Sequence, residues 1–383
     1  MKYRVPSYFD QFTCIGGACE DTCCAGWYLP VDEATYKKYK KVKDPVMKRR
    51  LDKELVARKG AVSADNVAKI KLKNNRCAFL AGDGLCELYT QLGEHYLSES
   101  CQLYPRTFNQ VNDILECSLT LSCPEAARKV LLDPKGISFK EEERSSKQIA
   151  ISASLNPNPQ KPKHYGDYLL EIRGLLLGIL QNRQEDFEQR FLRLENTMKE
   201  LDYLIKTSSL KKIPSFIQEK MKNTDLRPIK GKVEQGKWRQ HERLLEILKH
   251  MRSTKKWPST YYEALYEEVL KGLESNVAFN VHFAKGYALY KETFLKEYSY
   301  ILENYFVNYI YEREAPLDGE SLLQSLDYLK VYKAMIELHL VGLIHYHKGV
   351  LTEEKVVQFL QLMTRVFDHN ELYRKQLLSV MKK

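Results

Sequence analysis

From about residue 165 onward, apolar side chains recur at the spacing that places them on one face of an α-helix. The first series is Leu169, Ile172, Leu176, Ile179 and Leu180, and the next is Phe187, Phe191, Leu194, Met198, Leu201 and Leu204. The same spacing predicts helices over 238–252, 259–274, 277–313, 318–346 and 352–381, with a break at Ala315-Pro316. Because no glycine-rich turn follows an apolar strand, a dinucleotide-type nucleotide fold is not expected.

The first 132 residues differ, because turn signals interrupt any periodic pattern there. Glycines at 16, 17, 26, 82 and 84 suit loops that carry ligands. Two short helices are expected, one capped by Asp32 and one beginning at Pro124 after Ser122 or Cys123. The fold class is therefore mainly α, with a loop-rich cysteine-bearing, metal-binding domain over 1–132, a proline-containing linker over 133–164 and an all-α helical domain over 165–383.

Composition and charge narrow the class of protein further. The 383 residues carry a formal net charge of +10, with 44% hydrophobic and 29% charged residues. Basic and acidic residues are interleaved and no arginine-rich motif occurs, so the charge indicates solubility and no nucleic-acid partner is expected. Neither a run of about 18 apolar residues nor a secretory signal is present, so we expect no transmembrane segment and a cytoplasmic location.

Cysteine is the most informative residue type in this chain, because every cysteine lies in its first third. The nine are Cys14, Cys19, Cys23, Cys24, Cys77, Cys86, Cys101, Cys117 and Cys123. In a reducing compartment, clustered cysteines are more often metal ligands than disulfides, so a subset of these nine is expected to bind zinc or an iron–sulfur cluster. Buried structural cysteines, disulfides of an exported protein and redox sensing remain alternatives.

The number and spacing of the thiols leave the kind of metal open. Nine thiols exceed the four ligands of one zinc ion, so one cluster with spare thiols or two metals both fit the count. Cys23 and Cys24 are adjacent and cannot easily point the same way in a regular element. Because Cys24 directly follows Cys23, the Cys-x3-Cys-x2-Cys pattern of radical enzymes is absent, and the motif does not support radical chemistry.

A set of short motifs around these cysteines resembles the flagellin lysine-N-methylase family. In chain order the motifs are FTC at 12–14, DTCCAGW at 21–27, CAFL at 77–80, LCELY at 85–89, LGE at 92–94, CQLYPR at 101–106 and LSCPEA at 121–126. The cysteine motifs are also similar to a broader family of bacterial zinc- or iron-chelating cysteine-cluster proteins. In the helical part, ENYFVNY at 303–309 matches a family-like segment.

The resemblance implies a protein lysine N-methyltransferase that acts on flagellin. S-adenosylmethionine would donate the methyl group, and a cysteine-bound iron–sulfur cluster of the 4Fe-4S type, or less favourably zinc, would accompany the activity. A different class of function is also open, namely a zinc- or iron-binding or redox-sensing module whose helical domain binds a protein partner. The broader cysteine-cluster family implies metal binding alone.

Aromatic and basic residues inside the motifs are the candidates for the chemistry. A lysine must lose its proton before it attacks the methyl sulfonium, and Tyr89, Tyr104 and Arg106 are the candidate catalytic residues for that reaction. An aromatic face can hold the sulfonium, and a guanidinium can bind a carboxylate bidentately, so Trp27 and Arg106 are candidates for binding the cofactor. Packing around the metal and capping of a loop are the structural alternatives for these residues.

Overall fold

The computed structural model describes residues 1–59, 63–145, 150–222, 238–254 and 259–381. Within these ranges the strands are β1 (Lys2–Pro6), β2 (Pro30–Val31), β3 (Leu55–Ala57), β4 (Ala68–Ile70), β5 (Leu72–Lys73), β6 (Arg76–Cys77), β7 (Arg106–Val111), β8 (Ile114–Leu119), β9 (Phe139–Glu143) and β10 (Ala153–Leu155).

The same ranges contain far more helix than strand. The helices are α1 (Glu33–Lys40), α2 (Pro45–Glu54), α3 (Glu87–Leu92), α4 (Glu99–Leu103), α5 (Pro124–Leu131), α6 (Leu169–Leu180), α7 (Phe187–Thr207), α8 (Ile213–Lys222), α9 (Arg239–Thr254), α10 (Thr260–Leu273), α11 (Phe279–Tyr290), α12 (Lys296–Glu312), α13 (Leu322–Tyr346), α14 (Glu353–Met363) and α15 (Glu371–Leu378). Two π-helical turns lie between α-helices, at Lys291–Leu295 and Thr364–Asp368.

The mainly α fold class is confirmed, and most predicted helices are present. The Asp32 carboxylate caps α1 by accepting the Thr35 N–H at 2.8 Å, and Cys123 precedes α5, whose first residue is Pro124. The long helix predicted over 277–313 is α11 and α12 joined by a π-helical turn. Among the described residues, no helix is long and apolar enough to cross a membrane.

A five-stranded sheet is the main element that the apolar pattern did not predict. Its strand order is β10-β7-β8-β1-β9, with β1 parallel to β8 and antiparallel to β9. Strands β9 and β10 lie inside the segment predicted to be a linker. They are the two edge strands, and β9 has the sequence FKEEE, so neither shows the apolar alternation by which a strand is recognised.

The buried residues form two separate hydrophobic cores. The larger one joins β1, β7, β8 and α5 to the helices of the second half of the chain. The smaller one is built from residues between Leu29 and Leu88, with Cys24, Cys86 and Cys101 packed against it. The sheet therefore packs with the helical domain, and a cysteine-bearing unit with its own small core is inserted between β1 and β7. The predicted limits at 132 and 165 stay predictions.

A buried ionic network fastens the sheet to the helices. Arg173 of α6 donates to Glu116 of β8 at 2.5 Å and to Glu314, just after α12, at 2.6 Å. Arg4 of β1 also pairs with Glu116. The side chains of Arg173, Glu116 and Glu314 are at most 6% exposed, so each charge depends on its partners for solvation.

We expect Arg173→Met to lower the free energy of unfolding by about 3–5 kcal/mol, because it leaves two buried carboxylates without their shared cation. Chemical denaturation followed by circular dichroism measures this change. Lys199→Met is the control, since Lys199 pairs with Glu195 at the surface and its loss costs less than about 1 kcal/mol. Equal losses in the two variants would contradict a structural role for the network.

Candidate metal centre and adjoining cavity

Five cysteines from four segments of the chain meet beside the smaller core. We call Cys23, Cys24, Cys77, Cys86 and Cys101 the five-cysteine group, because the pKa of each is shifted by one or more of the other four thiols. The Cys77 N–H donates to the Cys24 carbonyl at 2.7 Å, which holds two of the segments together. The turn-rich sequence thus brings distant thiols near one another, and metal binding by them stays a prediction.

Burial controls the state of these thiols. It raises the pKa of Cys77 to about 11 and that of Cys101 to about 12. Cys23 differs, because the Cys24 thiol, with sulfur atoms 4.0 Å apart, donates a hydrogen bond that lowers the Cys23 pKa to about 7. Most of the group is therefore protonated at neutral pH, and a bound cation would be needed to hold several thiolates together.

Hydrogen-bond donors point at the sulfur atoms. The Phe79 N–H donates to the Cys77 sulfur at 3.4 Å, and Cys86, which precedes α3, accepts backbone N–H groups of the first turn of that helix. The Tyr39 hydroxyl is buried without a hydrogen-bond partner among the described residues, and the charges of Cys101, Cys86 and Cys77 act on it. Such donors lower the energy of thiolate ligands and of the group they bind.

The donor set fits a thiolate-bound metal group. Sulfur ligands are those of zinc and of iron–sulfur clusters, and the Tyr39 hydroxyl supplies a donor that has no acceptor in the protein. In the part of the chain that the structure describes, no three His, Cys, Asp or Glu side chains are placed to hold a single metal ion. The group therefore lacks the arrangement of a preformed one-ion site, and both metal binding and the kind of metal stay predictions.

The other four cysteines are not packed with the smaller core. Burial and the charge of Cys23 raise the pKa of both Cys19 and Cys123, so these two thiols border the five-cysteine group at Cys23. Cys14 is exposed. Cys117 is fully buried on β8 in the larger core, and the charges that act on its pKa are those of arginine and carboxylate side chains rather than cysteines. All nine lie within the described residues, and all are free thiols.

A cavity of about 1250 Å³ opens next to the cysteines, between the inserted unit and the helical domain. Its walls on one side are the loops 16–25, 74–76 and 82–84. On the other side they are Ser259, Thr260, Tyr261 and Glu263 at the start of α10, and Arg365, Asn370 and Tyr373 in and after the second π-helical turn. Cys19, Arg76 and Arg365 are among the lining residues, so thiol and guanidinium groups face the same space.

One buried ion pair joins the two walls of the cavity. The Arg365 guanidinium donates to the Asp21 carboxylate at 2.5 Å and to the Ala25 carbonyl at 2.8 Å, and the two side chains are 10% and 6% exposed. Gln361 adds a bond to the Ser122 carbonyl at 2.8 Å. Arg365 lies in a π-helical turn, a local widening of a helix that is frequent at functional sites.

Two of the sequence candidates, Trp27 and Tyr104, lie together beside the cysteines. Their ring centroids are 5.7 Å apart, and the Trp27 indole N–H donates to the Cys23 carbonyl at 2.6 Å. The Tyr104 hydroxyl is hydrogen-bonded to the Ser122 hydroxyl at 3.1 Å, and burial raises the Tyr104 pKa well above its usual range. Both residues pack around the candidate metal centre.

Arg106 and Tyr89 are not part of this pair. The Arg106 guanidinium stacks on the Phe12 ring at 4.9 Å from its centroid and donates to the Phe12 carbonyl at 3.4 Å. Tyr89 is 51% exposed on α3. Neither residue, nor Trp27 or Tyr104, lines the large cavity. Their catalytic and cofactor-binding roles stay predictions.

Sequence reasoning missed the residues that the helical domain brings to the site. These residues are Gln361, Arg365 and His369, and they lie in an ordinary amphipathic pattern. Their partners are far away in the chain: Asp21 is at least 340 residues earlier than Gln361 and Arg365, and Ser122 is 247 residues earlier than His369. A π-helical turn leaves no signal in the spacing of apolar residues. From the sequence alone, an arginine and a histidine near the end of a helix are interpreted as solvent-exposed side chains.

The fold and site define a mainly α protein in which a thiol-rich centre lies against a helical domain. The family model described as the FliB lysine N-methylase C-terminal domain matches residues 173–383. That match covers more than half of the chain. The chain therefore belongs to the FliB lysine N-methylase family, and the family assignment made from the cysteine motifs is confirmed.

Individual relatives agree with this assignment. The lysine-N-methylase of Salmonella typhimurium is 31% identical over 156 residues, which are 41% of this chain and 39% of that protein. The flagellar biosynthetic protein FliU of Salmonella muenchen is 31% identical over 146 residues, which are 38% of this chain and 86% of that protein. The chain thus matches about two fifths of the length of the lysine-N-methylase. No solved structure matches.

We expect Arg365→Gln to release the cysteine-bearing loop. Leaving the Asp21 carboxylate buried and unpaired costs about 3 kcal/mol, so backbone amide exchange over 19–25 should become roughly 100-fold faster. Arg128→Gln is the matched control, because Arg128 pairs with Glu20 of the same loop at an exposed site and should change exchange less than about 5-fold. Similar exchange in both variants would show that the ion pair does not hold the loop.

Proposed function

We propose that this protein transfers methyl groups from S-adenosylmethionine to lysine side-chain amines of flagellin, and that its cysteines hold an iron–sulfur cluster. The observation that carries the proposal is the position of the cavity. The part of the chain that matches the methylase family supplies Arg365 and Tyr373 to one wall, and the loops that carry the thiols supply the other. Substrates bound there would contact both parts.

The five-cysteine group is the proposed ligand set, with four of its members binding the cluster. When bound, the cluster would supply a redox-active, Lewis-acidic iron centre. The protein's own part is to gather the thiols, donate a hydrogen bond to Cys77 from the Phe79 N–H, and pack Trp27 and Tyr104 beside them. The Tyr39 hydroxyl, which has no partner among the described residues, is free to donate to the bound cluster. Cys117 is excluded from the set because it lies in the larger core.

The cavity has room for both substrates of a methyl transfer. Its volume of about 1250 Å³ exceeds the roughly 300–1,000 Å³ of pockets that bind one small molecule. Arg76 can bind the carboxylate of the methyl donor, and the exposed ring of Tyr261 can lie against its sulfonium. The carboxylates of Asp83 and Glu263 can receive the lysine ammonium. A cytoplasmic location belongs to the same proposal.

We expect protein purified without oxygen to contain iron and acid-labile sulfide in matched amounts. Cys101→Ser should lose most of the iron and the visible absorption, because one thiolate ligand is replaced by a poorer one. Cys117→Ser is the matched control and should retain both, since Cys117 lies outside the group. Zinc without sulfide would contradict the iron–sulfur cluster and indicate a structural metal. Loss of iron in the Cys117 variant would contradict the ligand assignment.

Methyl transfer is tested with the metal-loaded protein, labelled S-adenosylmethionine and purified flagellin. We expect label in flagellin lysines, and none in flagellin whose lysines have been blocked by reductive methylation beforehand. Loaded metal with no transfer and no binding of S-adenosylmethionine would instead support the metal-binding or redox-sensing module.

A further inference from the structure

A continuous series of hydrogen bonds runs from the cavity side of the site into the interior. The His369 ring Nε2 lies 2.8 Å from the Ser122 hydroxyl, and the Ser122 hydroxyl lies 3.4 Å from that of Thr120. The Thr120 hydroxyl in turn donates to the Glu312 carboxylate. We call these four residues, His369, Ser122, Thr120 and Glu312, the Glu312 relay.

One assignment of protons satisfies every bond in the relay. His369 donates from Nε2 to Ser122, Ser122 donates to Thr120, and Thr120 donates to Glu312. The serine oxygen has a second lone pair, which accepts the Tyr104 hydroxyl at 3.1 Å. The Nδ1 atom of His369 is then the unprotonated nitrogen, and it can accept a proton from outside.

The two ends of the relay differ in their access to solvent. His369 lies at the surface, although partial burial of its ring lowers its pKa, and the next residue, Asn370, lines the large cavity. Ser122 and Thr120 are 2% and 5% exposed, so water does not interrupt the middle of the series. Glu312 is only partly buried, which lets a proton held there return to solvent.

The surroundings of Glu312 suit a group that gains and loses a proton near neutral pH. Burial raises its pKa to about 7, while the nearby Arg313 lowers it and Asp368 raises it. Asn308 donates to the carboxylate at 3.3 Å. The hydroxyls of Tyr8 and Tyr305 also face it, and both stay protonated because burial raises their pKa.

We propose that the Glu312 relay takes up the proton that the substrate amine must lose before methyl transfer. This inference rests on the proposed function. One N–H bond of the ammonium breaks and its proton passes to Nδ1 of His369. The Nε2 proton then moves to Ser122, the serine proton to Thr120 and the threonine proton to the Glu312 carboxylate. The freed amine forms the N–C bond as the S–C bond of the methyl donor breaks, leaving S-adenosylhomocysteine.

The reaction needs such an acceptor because of two charges. A lysine amine has a pKa of about 10.4 and is protonated at neutral pH, so it has no lone pair for attack. The methyl donor is itself a cation, and bringing it near an ammonium would repel both. Moving the proton away to Glu312 before the two substrates meet removes that repulsion from the cavity.

Thr120→Val tests the relay, because it removes one hydroxyl and keeps the side-chain shape. We expect methyl transfer at pH 7 to fall about 100-fold, with iron content and unfolding temperature unchanged. The deficit should shrink as the pH approaches about 10, where the amine loses its proton to water. Thr197→Val, at a buried threonine of α7, is the matched control and should keep full activity. A deficit equal at every pH, or none at all, would overturn the relay.

A second measurement tests the relay without methyl transfer. Infrared spectroscopy of the wild-type protein near pH 6, where exposed carboxyl groups are ionised, should show a carboxylic acid band that Glu312→Gln removes. Glu314→Gln, a change at a nearby glutamate whose pKa burial also raises to about 7, should leave that band in place. Thr120→Val should shift this band, because the carboxyl loses a hydrogen bond. An unshifted band would overturn the relay even in an active enzyme. If the band shifts but the protein transfers no methyl group, the proposed function is contradicted and the hydrogen-bonded connection between Thr120 and Glu312 is supported.

Discussion

Asp21 and Arg365, which lie 344 residues apart in the chain, form the ion pair on which the geometry of the site depends. One of them belongs to the loop that carries the thiols and the other to the helical domain. With both side chains almost fully buried, neither charge has water as an alternative partner. The pair joins the two walls of the cavity beside Cys23 and Cys24, and the bonds of Gln361 and His369 to Ser122 lie on the same face of the helical domain.

The stability of the inserted unit depends on more than the burial of its apolar residues. Its core is small and is bordered by cysteines with partly buried thiols, and units of that size usually need a metal or disulfides for stability. The helical domain has an extensive core of its own. Stability is thus unevenly distributed. The inserted unit, which carries the thiols, has the smaller hydrophobic core of the two.

The helices were predictable from the sequence because their apolar spacing continues over many turns, as in α7 and α13. The sheet was not, because β7 and β8 carry buried polar residues such as Asn109 and Glu116, and their other neighbours, β10 and β1, are distant in sequence. For the site, the sequence predicted that the cysteines converge. It could not show that Cys117 lies apart, since strand direction decides which way its thiol points.

The position of β1 in the sheet has a consequence for the order of events during synthesis. This strand lies between β8 and β9, so both of its neighbours are made more than a hundred residues after it. All the cysteines of the inserted unit emerge during that interval. The nascent unit can therefore gather its thiols before the sheet closes over its two connections.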